Sequence, residues 1–179
     1  MRKLKMSELN RLSLQEFKDS KKTPLVVILD NVRSLHNVGS VFRTADAFLI
    51  EKIYLCGITA CPPHKDIQKT ALGATDSVDW EHLKSTKDAV LRLKEEGYKI
   101  IALEQTHNAI LLEDFSPERG EKYALILGHE VNGVVDEVLQ LCDACLEIPQ
   151  FGTKHSLNIS VSAGIAIWEV FKKVSTKSD

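Results

Sequence analysis

The sequence lacks any apolar run long enough to cross a membrane, and its first residues lack the apolar centre of a secretory signal peptide. Internal repeats and low-complexity tracts are also missing. The 179 residues, 44% hydrophobic and 27% charged, are typical of one ordinary globular domain with a substantial core. We therefore expect a cytoplasmic protein that does not bind membranes.

Several motifs of nucleotide and metal chemistry are missing too. No Gly-x-Gly-x-x-Gly occurs, and no Lys-Ser/Thr follows the Gly-x-x-x-x-Gly at 128–133, which disfavours dinucleotide and phosphate-loop sites. Cys142-x-x-Cys145 has the spacing of a redox or zinc motif, but the chain offers no second such pair and no nearby spaced histidine pair. We expect reduced, partly buried thiols and no metal site.

Charge is distributed unevenly along the chain. The formal net charge of −2 argues against a protein that coats nucleic acid with its whole surface. Residues 1–22 hold seven basic and three acidic side chains, a net +4, so the remaining residues carry −6. We divide the chain into a basic helical leader, 1–22, and a main domain, 23–179. The leader is either a solubilising tail or an arm that contacts phosphates.

Short apolar runs alternate with helical patterns through the main domain. The runs at 25–29, 53–56, 99–103, 123–127 and 145–148 predict strands, and helices are predicted within 38–49, 85–96, 134–141 and 157–174. Ser13-x-x-Glu16 predicts a short capped helix in the leader. This alternation indicates an α/β fold with a mainly parallel sheet flanked by helices on both faces. Residues 59–79 stay unassigned.

The last predicted helix is apolar on two faces. One face carries Leu157, Val161, Ile165 and Trp168, and the other carries residues such as Ile159, Ala163 and Ile167. A helix of this kind must be covered on more than one side. A homodimer is favoured, although a helix enclosed within one chain would show the same pattern.

Polar residues follow the first predicted strand. Asn37 and Gly39 suit a tight turn, and Arg43 lies about one turn into the next helix, off its apolar stripe. A cation in that position does not match the helix dipole, which suggests function. The alternative is a surface arginine paired with Asp46.

Two later segments have the composition of ligand loops. Gly128 and Glu130 follow an apolar strand, at the edge where open α/β sheets bind ligands, and Gly128 would let a ligand approach the backbone. Residues 148–158 join a strand to the last helix through proline, glycine and hydrogen-bonding side chains. The alternative is an ordinary turn with Ser156 or Asn158 as the helix cap.

Together the three segments resemble the SpoU (TrmH-type) branch of the SPOUT RNA ribose 2′-O-methyltransferases. The family's Asn-x-Gly-x-x-x-Arg-Thr-Ala is matched at 37–45, and its Gly-x-Glu-x-x-Gly at 128–133. Its Ile-Pro followed by Ser-Leu-Asn-x-Ser is matched at 148–149 and 156–160. The residue before Ser156, commonly acidic in relatives, is His155 here, and His129 fills a variable position.

The resemblance implies a function, a cofactor and an assembly. It implies methyl transfer from S-adenosylmethionine (AdoMet) to a ribose 2′-hydroxyl of tRNA or rRNA by a homodimer. It also implies a SPOUT α/β-knot fold, with the carboxyl-terminal segment threaded as a trefoil knot. The implied cofactor-binding residues are Leu127, Gly128, Ile148, Ser156 and Leu157. The implied catalytic and substrate-positioning residues are Asn37, Arg43, Glu130, Ser156 and Asn158.

Arg43 has two conceivable roles in such a reaction. The family account makes it the base, which requires transient deprotonation of a group whose pKa lies above about 12. Alternatively it stays charged, grips a phosphate and stabilises the developing alkoxide, which we favour on physical grounds. The competing function is a non-catalytic RNA-binding or assembly protein that has kept the fold.

Overall fold

The computed structural model describes residues 1–175. Its strands are β1 (Thr23–Asp30), β2 (Ile50–Cys56), β3 (Trp80–Leu83), β4 (Tyr98–Leu103), β5 (Ile110–Leu111), β6 (Lys122–Leu127) and β7 (Ala144–Glu147). Its α-helices are α1 (Leu14–Asp19), α2 (Leu35–Ala47), α3 (Lys65–Ala71), α4 (Ala74–Ser77), α5 (Thr86–Glu95), α6 (Asp136–Leu139) and α7 (Ile159–Ser175). Short 3-10 helices lie at Met6–Glu8 and Leu112–Asp114.

The strands of the described chain form one seven-stranded sheet in the order β3-β2-β1-β6-β4-β7-β5. Every pairing between neighbouring strands is parallel. All carboxyl ends therefore meet along one edge. The predicted α/β fold with a mainly parallel sheet is confirmed; the trefoil knot stays a prediction.

Alternating side chains of the central strands feed two cores, one on each face of the sheet. Leu25, Val27 and Leu29 point into the core that contains α2 and α7. Val26 and Ile28 point into the core that contains α5. The predicted cover of helices on both faces is confirmed. Phe17 of α1 belongs to the first core, so the end of the leader packs against the main domain.

The structure confirms the five predicted strands and adds two short ones, β3 and β5. The unassigned segment 59–79 contains α3 and α4. The helix predicted over 134–141 shortens to Asp136–Leu139, because Val135 has an extended backbone. The predicted capping box of Ser13 with Glu16 is present, and Ser85 caps α5.

Gly39 lies inside α2, so the predicted tight turn at Asn37 and Gly39 is wrong. The helix begins earlier, with Ser34 as its cap. A Cβ atom on Gly39 would lie 2.2 Å from the backbone oxygen of Ile67 and 2.2 Å from Thr70 Oγ1. Glycine is needed here for the close crossing of α2 and α3.

The two apolar faces of α7 have different surroundings. Ile159, Ala163 and Ile167 are buried in the core, whereas Val161, Ile165 and Trp168 are 50%, 41% and 48% exposed. Val161, Ile165 and Trp168, together with Leu157 just before the helix, form an exposed apolar stripe. No helix within residues 1–175 is both long and apolar enough to cross a membrane. The last four residues of the predicted domain 23–179 lie outside the described residues.

Candidate active site

A cavity of about 610 Å³ opens at the carboxyl ends of β4, β6 and β7. Three segments line it: 103–107 after β4, 127–134 after β6, and a set of residues between 146 and 162 that follows β7 into α7. The carboxyl edge of a parallel sheet is where α/β proteins bind ligands. The volume is within the range of small-molecule sites, about 300–1,000 Å³.

The structure brings the predicted cofactor-binding residues together. Leu127, Gly128, Ile148, Ser156 and Leu157 all line this cavity. Leu127 ends β6 and Ile148 directly follows β7, so the two strands deliver these residues to the same edge. Residues separated by as many as 30 positions in sequence thus share one surface.

Gly128 has a structural role in addition to the predicted approach of a ligand, which stays a prediction. A Cβ atom on Gly128 would lie 2.3 Å from the carbonyl carbon of Gly133 and 2.5 Å from the nitrogen of Val134. The glycine therefore allows the loop to close on itself. Within that loop, His129 Nδ1 accepts hydrogen bonds from the amides of Val131 and Asn132, so this histidine helps to shape the turn.

Glu104 is a site residue that the sequence analysis missed. It follows β4, lines the cavity, and accepts hydrogen bonds of 2.9 Å from the amides of Gln105 and Val134. A Cβ atom on Gly133, whose φ is +64°, would lie 2.1 Å from Glu104 Oε2. Glu104 therefore holds the 128–134 loop from the β4 side. A lone glutamate after a strand, outside any motif, gave no signal in the sequence.

Glu130 holds the same loop from the opposite side. Its carboxylate accepts hydrogen bonds from the amides of Arg33, at 3.1 Å, and Ser34, at 3.0 Å. Asn37 Nδ2 donates a third, at 3.4 Å. The acceptor thus lies at the amino end of α2, where unpaired amides and the helix dipole favour a negative charge.

These contacts determine the ionisation of Glu130. Burial acts to raise the pKa of the carboxyl group, but the hydrogen bonds from Arg33, Ser34 and Asn37 together outweigh it. The net pKa of Glu130 is lower than its ordinary value. Glu130 is therefore a carboxylate at neutral pH and acts as an acceptor only.

Asn37 and Asn158 extend this network to the last motif. Asn158 Nδ2 donates to Asn37 Oδ1 at 3.3 Å, across 121 positions of sequence. Asn158 Oδ1 also accepts from the amide of Ser160 at 2.9 Å, so the predicted capping role of Asn158 is present as well. Of the five predicted catalytic residues, Glu130, Asn37 and Asn158 are linked directly, and Ser156 lines the adjacent cavity.

Arg43 lies apart from this network. Its side chain is exposed on α2, and it is not among the residues lining the cavity. It lies six residues beyond Asn37, about 9 Å along the helix axis at 1.5 Å per residue. The alternative pairing with Asp46 is wrong, because Asp46 accepts a hydrogen bond from Ser77 and none of the described residues forms an ion pair with Arg43.

The four cysteines take no part in the site. All are free, Cys56 is buried and the other three are partly buried, so the prediction of reduced thiols is confirmed. Burial raises the pKa of Cys56 and of Cys142 to about 12, which leaves both as unreactive thiols. No cluster of three or more histidine, cysteine or acidic side chains in the described part of the chain has the geometry of a metal site.

A parallel sheet whose loops line one cavity at its carboxyl edge defines an α/β protein with an open-sheet ligand site. The chain superposes on the TrmH/SpoU tRNA modifying enzyme of A. aeolicus with a TM-score of 0.81 at 26% identity, covering 92% of this chain and 82% of that one. The profile of the SpoU rRNA Methylase family matches residues 24–168. The chain belongs to this family.

Two further relatives have names that specify their ligands. The 23S rRNA (guanosine-2′-O-)-methyltransferase RlmB of Neisseria meningitidis is 30% identical over 156 residues, which cover 87% of this chain and 61% of that protein. An AdoMet-bound rRNA methyltransferase from Sinorhizobium meliloti is 25% identical, with a TM-score of 0.78, 87% of this chain covered and 59% of that chain. This chain spans about three fifths of the length of such curated relatives.

Proposed function

We propose that this protein transfers a methyl group from AdoMet to a ribose 2′-hydroxyl of tRNA or rRNA. The observation that carries the proposal is the convergence of the three family motifs, two on one cavity and the third bonded to its rim through Glu130 and Asn158. The relatives' names support both the reaction and the RNA class. A purely structural RNA-binding protein has no need for a small-molecule cavity at this edge.

The cavity suits AdoMet in shape and charge. Apolar walls from Leu127, Ile148 and Leu157 fit an adenine ring, while open backbone groups at the strand ends can bind its polar edge. Carboxylates from Glu104, Glu130, Asp136 and Glu147 also line the cavity and favour a positively charged ligand. When bound, AdoMet supplies an electrophilic methyl group on a sulfonium ion.

The chain's own residues position the nucleotide. Glu130 fixes the amino end of α2, and Asn37 and Asn158 are fixed with it, so the rim of the cavity is held in place before RNA binds. Such positioning can contribute about 7–11 kcal/mol in favourable intramolecular models. The hydroxyl of Ser156, at the cavity wall, can hold the attacking ribose oxygen by a hydrogen bond.

We assign phosphate binding and alkoxide stabilisation to Arg43, as a charged guanidinium. Because Arg43 lies outside the cavity of its own chain, it would serve the cavity of a second copy. The exposed stripe on α7 is the surface for that homodimer. The basic leader, 1–22, would add phosphate contacts to the catalytic domain, 23–179. We expect the protein in the cytoplasm, where the proposed tRNA and rRNA substrates occur.

One experiment tests the proposed function. The protein is incubated with labelled AdoMet and total RNA from a strain that lacks it, and the labelled nucleotide is mapped. We expect label in tRNA or rRNA, on a nucleotide whose 3′-phosphodiester bond has become resistant to alkali, because a methylated 2′-oxygen cannot attack the phosphate. AdoMet binding without any transfer to RNA would instead support the non-catalytic alternative.

A further inference from the structure

The loop that closes the cavity carries a fully exposed aromatic ring. Phe151 has 96% of its surface exposed, although it lies in a well-packed domain. Its neighbour Gln150 lines the cavity, and so do His155 and Ser156 on the returning side of the loop. Both ends of this short loop are therefore at the cavity wall. The Cα atom of Phe151 lies about 3.8 Å from the Cα atom of Gln150, its neighbour in the cavity lining.

The loop that carries Phe151 contains a cation and no carboxylate. Residues 150–158 contain Lys154 and His155 and no acidic residue. His36 and Arg33, both exposed, lie at the amino end of α2, beside the Asn37 that Asn158 contacts. The carboxylate nearest to them, Glu130, is already occupied by backbone amides. The exposed ring thus shares its loop with the positive charge of Lys154, next to the cavity.

The loop at 150–157 forms few hydrogen bonds with the rest of the described domain. In residues 1–175, one hydrogen bond reaches the segment 150–157 from outside, from Gln105 Nε2 to the carbonyl of His155 at 3.4 Å. An element held by so few bonds can adjust when a ligand binds. Gly152, next to Phe151, has open space around it, which adds freedom to the ring's position.

We propose that Phe151 is a stacking platform for an unpaired base of the RNA, with Lys154 binding the adjoining phosphate. This inference rests on the proposed function and names the side chains that hold its substrate. Single-stranded RNA is bound by aromatic rings that stack on unstacked bases and by cations that bind the backbone. A base held here would place its own ribose beside the cavity, where a methyl group is to be transferred.

The test compares Phe151→Ala, Phe151→Trp and Ile58→Ala in the full chain. Ile58 is a matched control, because it is 66% exposed at the same edge of the sheet but does not line the cavity. The measurements are the Kd for a fluorescent single-stranded oligoribonucleotide, the KM for bulk unmodified tRNA and rRNA, AdoMet affinity by calorimetry, and oligomeric state by sedimentation. Because Phe151 is exposed, none of the substitutions should affect folding.

We expect Phe151→Ala to raise the Kd for the oligoribonucleotide, and the KM for RNA, by between about five-fold and about 150-fold. Phe151→Trp should retain or improve binding, and Ile58→Ala should leave it unchanged. AdoMet affinity and oligomeric state should be the same in all variants. Lys154→Gln should weaken binding less and reduce its dependence on salt concentration.

Three results would overturn the proposal: wild-type RNA affinity in Phe151→Ala, an equal loss in Phe151→Trp, or dissociation of the homodimer by Phe151→Ala. The third would show that a second copy covers the ring. Failure of the proposed function is a separate result. RNA binding that depends on Phe151 without any methyl transfer would contradict the proposed enzymatic activity and would still support base stacking on Phe151.

Discussion

At the residue scale, Glu104 and Glu130 hold one loop from two sides. Glu104, which follows β4, accepts hydrogen bonds from the amides of Gln105 and Val134. Glu130, in the loop itself, accepts hydrogen bonds from the amides of Arg33 and Ser34 at the start of α2. Each carboxylate accepts hydrogen bonds from backbone groups that are fixed in the fold, and such charge-assisted bonds are stronger than neutral ones. The loop between them is thereby held in a single geometry.

Glu130→Gln should reduce the free energy of unfolding by about 1–2 kcal/mol at pH 7, because an amide cannot accept from several backbone donors without presenting its own NH₂ group to one of them. We expect this small loss of unfolding free energy because the carboxylate of Glu130 is partly exposed to solvent. Urea unfolding measures it. Glu137→Gln, which removes an exposed ion pair with Lys87, should cost less than about 0.5 kcal/mol.

The stabilisation from Glu130 should depend on pH. Its pKa is lower in the folded state than the unfolded value of about 4.3, so its contribution is fully present above pH 4.3 and is lost as pH falls through the folded pKa. The difference in unfolding free energy between wild type and Glu130→Gln should therefore shrink below about pH 4. An equal difference at pH 7 and at pH 3 would contradict this account.

Arg43→Ala should reduce methyl transfer by at least about 100-fold without changing AdoMet affinity or thermal stability, because the side chain is exposed and outside the cavity of its own chain. Arg43→Lys should retain only a small part of the activity, since lysine supplies the charge but not the two-pronged contact. Transfer of labelled methyl groups to RNA, with calorimetry for AdoMet, separates these effects. Full turnover in Arg43→Ala would remove this residue from the mechanism.

At the element scale, the crossing of α2 and α3 positions the first motif. Gly39→Ala should lower the free energy of unfolding by about 1–2 kcal/mol, because the new methyl group meets the backbone oxygen of Ile67 in α3 at 2.2 Å and the helices must separate. This loss should exceed the gain of about 1 kcal/mol from better helix propensity. Ser40→Ala, one residue along the same helix, should be neutral or slightly stabilising. Chemical denaturation of both variants checks the comparison.

The elements that the sequence predicts correctly differ from the missed ones in length, apolar content and capping residues. The five predicted strands are largely apolar runs with at most one charged residue each, whereas β3 (Trp-Glu-His-Leu) is a half-polar edge strand and β5 has two residues. The helix α3 was missed because it is short, follows two prolines and is capped by His64 rather than by a usual cap residue. Gly39 was taken for a turn residue because a close helix crossing leaves no mark in the chain itself.

Some residues of the candidate active site could also be predicted from the sequence, and others could not. The residues of the three motifs were predicted from their similarity to the family, and the structure brings all but Arg43 to one place. Glu104 could not be predicted, because its function depends on Gly133 and Val134, which only the fold brings near. The role of Gly128 was also hidden, since its closest neighbours belong to the far side of its own loop.

At the scale of the whole molecule, the exposed stripe on α7 is the surface through which we propose that two copies associate. Ile165→Glu should convert a homodimer into a folded monomer, because a charge cannot be buried there without a partner. Leu91→Glu on α5 is a matched control, since both side chains are 41% exposed. Sedimentation gives the oligomeric state, and circular dichroism shows whether the chain stays folded. The monomer should lose methyl transfer, and an Ile165→Glu variant that remains dimeric would place the interface elsewhere.

The hydrogen bonds of Glu130 have a thermodynamic consequence for the two ligands. The loop that forms one wall of the cavity is hydrogen-bonded to the amino end of α2, the helix that meets the RNA in the proposed function, so a ligand that shifts the loop also shifts the helix. Occupancy of either position will then change the affinity of the other by the same factor, as linkage requires.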